Sequence, residues 1–167
     1  MQYELVELAD LSGRKTVIYS VKLKGEDMTL FEKFVADNIV DFEDEVNDVL
    51  NRLEVMAKKT GARDHFFKQH EGKEGDPVCA LYDNPDKKLR LYCIRYHNRT
   101  IILGDGGHKP KGIRSWQEKK DLAQAANEMI FLAADIDRKL KDGEIEWTDQ
   151  NTRLKGNTNY LDEDDDE

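Results

Sequence analysis

Three apolar, β-branched and aromatic runs crowd the middle of the chain: VCALYD (78–83), LRLYCIRY (89–96) and TIILG (100–104). They are joined through Asn84-Pro85-Asp86 and His97-Asn98-Arg99. Links this short suit hairpins, because a parallel neighbour needs a crossover of about a dozen residues or more. The three runs are therefore read as a tight antiparallel meander, and the rest of the fold has to be built around it.

The chain opens in the same way. YELVEL (3–8) and TVIYSVKL (16–23), separated by Ser12-Gly13-Arg14-Lys15, read as two strands and a turn. Leu30, Phe31, Phe34 and Val35 then recur at helical spacing, which predicts a helix near 28–38. Asp41 is read as the cap of a second helix, whose Phe42, Val46, Val49, Leu53 and Met56 form one stripe and which Lys58, Lys59 and Gly61 end. After the meander, GDGGHKPKG (104–112) is too rich in glycine to suggest regular structure. Ser115 and Glu118 have capping-box spacing, and Leu122, Ala126, Met129, Ala133, Ile136 and Leu140 mark a long helix closed by Gly143.

The sum is an α+β fold. Its antiparallel sheet holds the N-terminal strands plus the three-stranded C-terminal meander, with two helices packed on one face and a long C-terminal helix. The expected organisation is a single domain over 1–143 and an irregular acidic tail over 144–167, partly disordered, whose last seven residues include six acids.

Only 38% of the 167 residues are hydrophobic and 37% are charged, so long solvated helix faces are expected. No stretch reaches the roughly 18 to 20 apolar residues of a membrane span, and no signal-peptide pattern opens the chain. A cytoplasmic protein with no membrane association is the expectation. Cys79 and Cys93 lie inside strand runs without C-x-x-C spacing, which argues for buried reduced thiols over a zinc site. Neither phosphate-binding glycine motif, G-x-x-x-x-G-K-[ST] or G-x-G-x-x-G, is present.

Charge is sorted along the chain. The total is −9, yet residues 87–120 carry ten Lys and Arg against two acids, while 26–54 carry ten acids against two bases. Either the basic segment meets an anion, phosphate first among them, or it faces the acidic helices of its own chain. Strand phase puts Leu89, Leu91 and Cys93 on a core face and Arg90, Tyr92, Ile94 and Tyr96 on a face expected to be half-exposed. Arg90 is the first candidate for a phosphate contact, and Tyr92 and Tyr96 are candidates to stack on bases. Lys87, Lys88, Arg99 and Arg114 would complete a nucleic-acid-binding surface. Lys109 and Lys111 flank Pro110 on the glycine-loosened loop, His108 is a candidate proton carrier, and Arg95 is expected to snorkel outward from the core face.

Taken together, Tyr19 through GEDMTLFEKF, the helix ending KKTGAR, the strands LRLYCIRY and TIILG, and the loop HKPKGIRSWQE resemble the RelE/ParE superfamily of toxin-antitoxin toxins, nearest its HigB-like, phage-derived branch. The resemblance spans about residues 16–125. It implies a RelE-like fold and a metal-independent, cofactor-free mRNA endonuclease acting on translated mRNA at the ribosome, controlled by a cognate antitoxin. Its catalytic side chains map onto Arg90, His108, Lys109 and Lys111, cations that would stabilise the charged phosphorane while the RNA 2′-hydroxyl attacks. Where such toxins commonly carry a basic pair after the last strand, this chain has Gly104-Asp105-Gly106-Gly107. That departure and the acidic total motivate the alternative, a non-catalytic RelE-fold interaction or nucleic-acid-binding protein that has lost toxicity.

Overall fold

A computed structural model of the chain describes residues 2–69, 77–81, 87–109, 116–156 and 158–159. The strands β1 (Tyr3–Glu7) and β2 (Val17–Leu23) precede the helices α1 (Leu30–Asn38) and α2 (Glu43–Val55). Next come β3 (Phe67–Gln69), β4 (Val78–Leu81), β5 (Leu89–Tyr96) and β6 (Thr100–His108). The helix α3 (Trp116–Lys141) and a final pair, β7 (Ile145–Thr148) and β8 (Arg153–Gly156), complete the order.

The local signals act largely as their chemistry dictates. Thr29 caps α1, accepting from the Glu32 N–H while the Glu32 carboxylate accepts from the Thr29 N–H. The second helix starts after Phe42, with no side-chain cap, so Asp41 does not serve as one. Its end passes into a π turn over Met56–Thr60 and stops at Gly61, whose φ of 81° suits glycine.

Six strands form one sheet in the order β1-β2-β6-β5-β4-β3. The meander and the opening hairpin are antiparallel, as expected, but β2 pairs with β6 in parallel, Val17 opposite Thr100 through Ser20 opposite Leu103. The sheet is thus mixed, a correction to the antiparallel reading. Short turns dictate direction only within each hairpin unit; nothing local dictates how two units meet, and here they meet along β2 and β6.

Both faces of the sheet are covered. Ile18, Leu89, Leu91, Cys93, Ile101 and Leu103 pack under Phe31, Phe34, Val46 and Leu53 of α1 and α2. The opposite face, with Tyr19, Val21, Tyr92, Ile94 and Ile102, is covered by Leu122, Met129, Leu132 and Ile136 of α3. Ser20, fully buried, ties these layers together: its hydroxyl donates to the Leu103 carbonyl and accepts from the Phe31 N–H. Cys79 and Cys93 face each other across β4 and β5 as free buried thiols with Sγ atoms 3.6 Å apart.

Two further expectations change. The glycine run 104–107 is strand, the second half of β6, with a bulge: Leu91 opposes Gly106 while Cys93 opposes Leu103, so Gly104 and Asp105 together face Tyr92. A Cβ on Gly104 would press on the Met129 side chain of α3, whereas one on Gly106 would strike the Arg90 carbonyl, a backbone obstacle that makes glycine the fitting residue there. The segment after 143 is not irregular throughout: β7 and β8 form a hairpin whose Ile145 and Leu154 enter the core under α3. Asn159 then bridges to Glu4, so the segment after the hairpin reaches the outer edge of β1. Residues 160–167, and with them the acidic end of the expected tail, lie outside the described residues.

Candidate functional site

The bulged half of β6 forms one side of a cleft of about 830 Å³, closed by the link from β2 to α1, by α1 and by the first turns of α3. Its acids are Glu26, Asp27, Asp37, Asp105, Asp121 and Glu128; Lys33 is the one Lys or Arg among the described lining residues. Lys33 donates to Asp37 Oδ2 and Asp105 Oδ2, both at 3.0 Å. Burial works to lower its pKa, but those two hydrogen bonds outweigh it and hold the ammonium above its usual range. Asp105 also accepts from the Gly106 N–H at 2.8 Å, which orients it across the cleft.

The candidates from the sequence are distributed around this frame. Arg90 lies on β5 opposite Gly107, with His108 opposite Leu89, so Arg90, His108 and Lys109 do come to one end of the sheet. Arg90 is half-buried, and its Nη1 reaches the Tyr92 hydroxyl at 3.4 Å. The His108 ring stacks on Phe42 with centroids 5.0 Å apart, and the Lys109 N–H donates to the Lys88 carbonyl. Lys87 pairs with Asp48 at 3.6 Å, and Glu45 of α2 accepts the backbone N–H groups of Lys88 and Leu89. Here the basic segment meets the acidic helix of its own chain. Lys111 and Arg114 lie outside the described residues.

The aromatic candidates are corrected. Tyr92 is 4% exposed beneath α3, and Tyr96 packs edge-on against Trp147 at 5.2 Å, so neither offers a face to a base. Burial pushes the Tyr96 phenol well above its usual range, which keeps it protonated. The strand phase was legible; that α3 covers this face was not. Arg95 reaches outward as its position implies, bonding Asp64 at 2.7 Å and the Ala62 carbonyl at 2.8 Å.

No protein-family model, curated protein or solved structure matches this chain. The chemistry of the cleft has therefore to be read from its own residues. An acid-lined cleft repels a phosphate, and Asp105 already holds the cation nearest to it. Among the described residues no group of three or more His, Cys, Asp or Glu side chains stands where it would hold a metal ion, and no helix is long and apolar enough to cross a membrane. Lys33, Asp37 and Glu128 went unnoticed in the sequence because each looks like an ordinary solvated helix residue; only the packing of α1 and α3 on β6 brings them to Asp105.

Glu128 reports on this crowding. Burial, then the charge of Asp105, raise its pKa, with Lys33 opposing. A carboxyl whose folded-state pKa is raised stabilises the fold below the unfolded value of 4.5 and loses that contribution as the pH climbs through the folded value. Glu128→Gln is therefore expected to stabilise the fold at pH 7, read as a higher urea midpoint, by less than about 1 kcal/mol because the site is partly solvated. At pH 4 the gain should vanish.

Proposed function

We propose that this protein binds nucleic acid through the phosphate backbone and does not cleave it, the non-catalytic alternative within the RelE-like reading. The observation that carries the proposal is the location of its free cations. At the end of the sheet opposite the acidic cleft, the β1–β2 turn, the β5–β6 turn and the π turn after α2 pack together. The Lys15 N–H donates to the Ala57 carbonyl, the Ala62 N–H to the Asn98 carbonyl, and the Thr16 hydroxyl to the Asn98 carbonyl. This end carries Arg14, Lys15, Lys59, Arg63 and Arg99, all exposed and none in an ion pair among the described residues. Asp10, exposed between β1 and β2, has no ion pair among the described residues, while Glu54 and Asp64 are taken by Lys58 and Arg95.

Arg99 thus keeps the nucleic-acid role read for it from sequence, in the company of cations from other elements. His97 adds no charge at neutral pH: burial lowers its pKa, a bond at the Asn151 backbone opposes this, and Arg99 and Arg95 lower it further. A RelE-like ancestry fits the proposal as a sheet retained with its cleavage chemistry displaced by Asp105. The nuclease reading, with a cognate antitoxin and ribosome-bound mRNA as partners, is favoured by one arrangement, the adjacency of Arg90, His108 and Lys109.

Fluorescence anisotropy with a short single-stranded RNA tests the proposal. Three to five phosphate contacts at about 0.7 ions each predict log Kd rising with log salt at a slope of about 2 to 3.5. The RNA should remain intact on a gel. A flat salt dependence would remove the reading, and growth arrest with cleaved transcripts on expression would restore the nuclease.

A further inference from the structure

Resting on that reading, we infer that one groove at the basic end is a site for a single phosphate group of a nucleic-acid strand. The groove, about 480 Å³, runs between the β1–β2 turn and the β7–β8 hairpin and is lined by Ser12, Gly13, Arg14, Lys15, Arg99 and Arg153, with Glu7 and Thr152 at its side. None of the candidate catalytic residues borders it, and Arg14, Lys15 and Arg153 lie outside the basic segment 87–120.

The charges divide into a paired set and a free set. Arg153 is engaged by Glu7 at 2.9 Å and Asp149 at 3.5 Å, a set whose formal charge sums to −1. Arg99 Nη1 donates to the Gln150 carbonyl at 3.3 Å, which holds its guanidinium against the hairpin without neutralising it. Arg14 and Lys15 are exposed with no ion pair among the described residues. Three cations outside any ion pair among the described residues therefore face one opening, from two turns far apart in sequence, and outnumber the single excess acid of the Arg153 set.

The turn that supplies two of them is fixed from behind. A Cβ on Gly13 would strike the Ala57 carbonyl oxygen, so glycine lets the turn lie flat on the end of α2. Its backbone is then pinned: the Gly13 N–H donates to the Thr16 carbonyl, the Lys15 N–H to the Ala57 carbonyl at 2.8 Å, and the Thr16 N–H to the same carbonyl at 3.4 Å. Thr100 ties the far wall, donating to the Thr152 carbonyl at 2.7 Å. Walls held this way need little ordering when an anion enters, which raises affinity for a given set of charges. The opening exceeds a lone phosphate and admits a phosphodiester with part of its flanking sugars.

The test uses the full chain in anisotropy titrations with a 12-nucleotide RNA, and in thermal melts with inorganic phosphate. Lys15→Glu and Arg99→Glu, both on exposed side chains, should each weaken RNA binding about tenfold or more. Lys24→Glu, an exposed position beyond the end of β2 and outside the groove, should cost threefold or less, and millimolar phosphate should compete with the RNA and raise the wild-type melting temperature. Arg14→Glu repeats the groove test if either variant melts early. Equal losses for Lys24 and the groove variants would overturn the groove while leaving nucleic-acid binding in place. Phosphate stabilisation that depends on Lys15 and Arg99, in a protein that binds no RNA, would retain the groove and remove the nucleic-acid reading.

Discussion

Asp135→Ala is expected to destabilise the protein by about 3 kcal/mol, the cost of removing one partner from a buried ion pair. Lys139 of α3 is 1% exposed, and its ammonium lies 3.3 Å from Asp135 Oδ2 and 5.0 Å from the centre of the Tyr3 ring. Tyr3, itself fully buried on β1, donates its hydroxyl to the same carboxylate at 2.6 Å, and Arg138 approaches from the solvent side at 2.8 Å. The cluster fastens α3 to the outermost strand, beside the apolar stripe that holds the helix to the middle of the sheet. Removing the carboxylate leaves a buried cation without it and takes an acceptor from Tyr3.

Chemical denaturation checks this at two pH values. Burial works to raise the Asp135 pKa, but the bond from Tyr3, then Arg138 and Lys139, outweigh it and hold the carboxyl below its unfolded value of 3.8. A depressed carboxylate contributes stability above the unfolded pKa and loses it as the pH falls through the folded value. The deficit of the Ala variant should therefore be full at pH 7 and shrink below about pH 3.8. Adding Lys139→Met to Asp135→Ala should recover most of the loss, because an apolar side chain of similar length needs no counter-ion. A double variant as unstable as Asp135→Ala alone would show that packing, and not charge, carries the cluster.

Gly106→Ala should cost about 2 to 3 kcal/mol, at the upper end of overpacking effects. The obstruction is backbone: the Arg90 carbonyl oxygen, its carbon at 2.8 Å and the Leu91 Cα at 2.9 Å stand where the methyl would go. A side chain would rotate away, whereas here the β5–β6 ladder itself has to open at the bulge. Gly107→Ala is the control, since its Cβ would meet only Leu122 Cδ2 at an ordinary 3.7 Å. That variant should be neutral or slightly stabilised through the loss of unfolded-state freedom. Equal melting temperatures for the two alanine variants would contradict the bulge as the reason for the glycine.

The alternating and helical stripes that sequence reasoning used are the ones the fold buries. Val46, Val49, Leu53 and Met56 do face one core, and Leu122, Met129 and Ile136 another. Periodicity is local, so it survives translation from chain to structure. The candidate site fared differently. Tyr92 and Tyr96 share a strand face with Arg90 as expected, but α3 and Trp147 occupy the space in which a base would have stacked. Gly104 to Gly107 resembled a loop because glycine signals turns, while here it signals close approach of Met129 and of the Arg90 carbonyl. Ile145 and Leu154 escaped notice because four-residue strands in a polar segment leave too short a pattern to read.

Charge marks the same boundary. Cations and acids sorted into blocks, three helices, a meander and two buried thiols are all legible along the chain. Which charges meet depends on how the elements pack. Lys87 lies against Asp48, Lys33 against Asp105, and Arg99 beside Arg14 and Lys15 from the other end of the chain. Coulomb energies depend on distances through space, and those are set when two hairpin units join in parallel along β2 and β6, an arrangement no local pattern encodes.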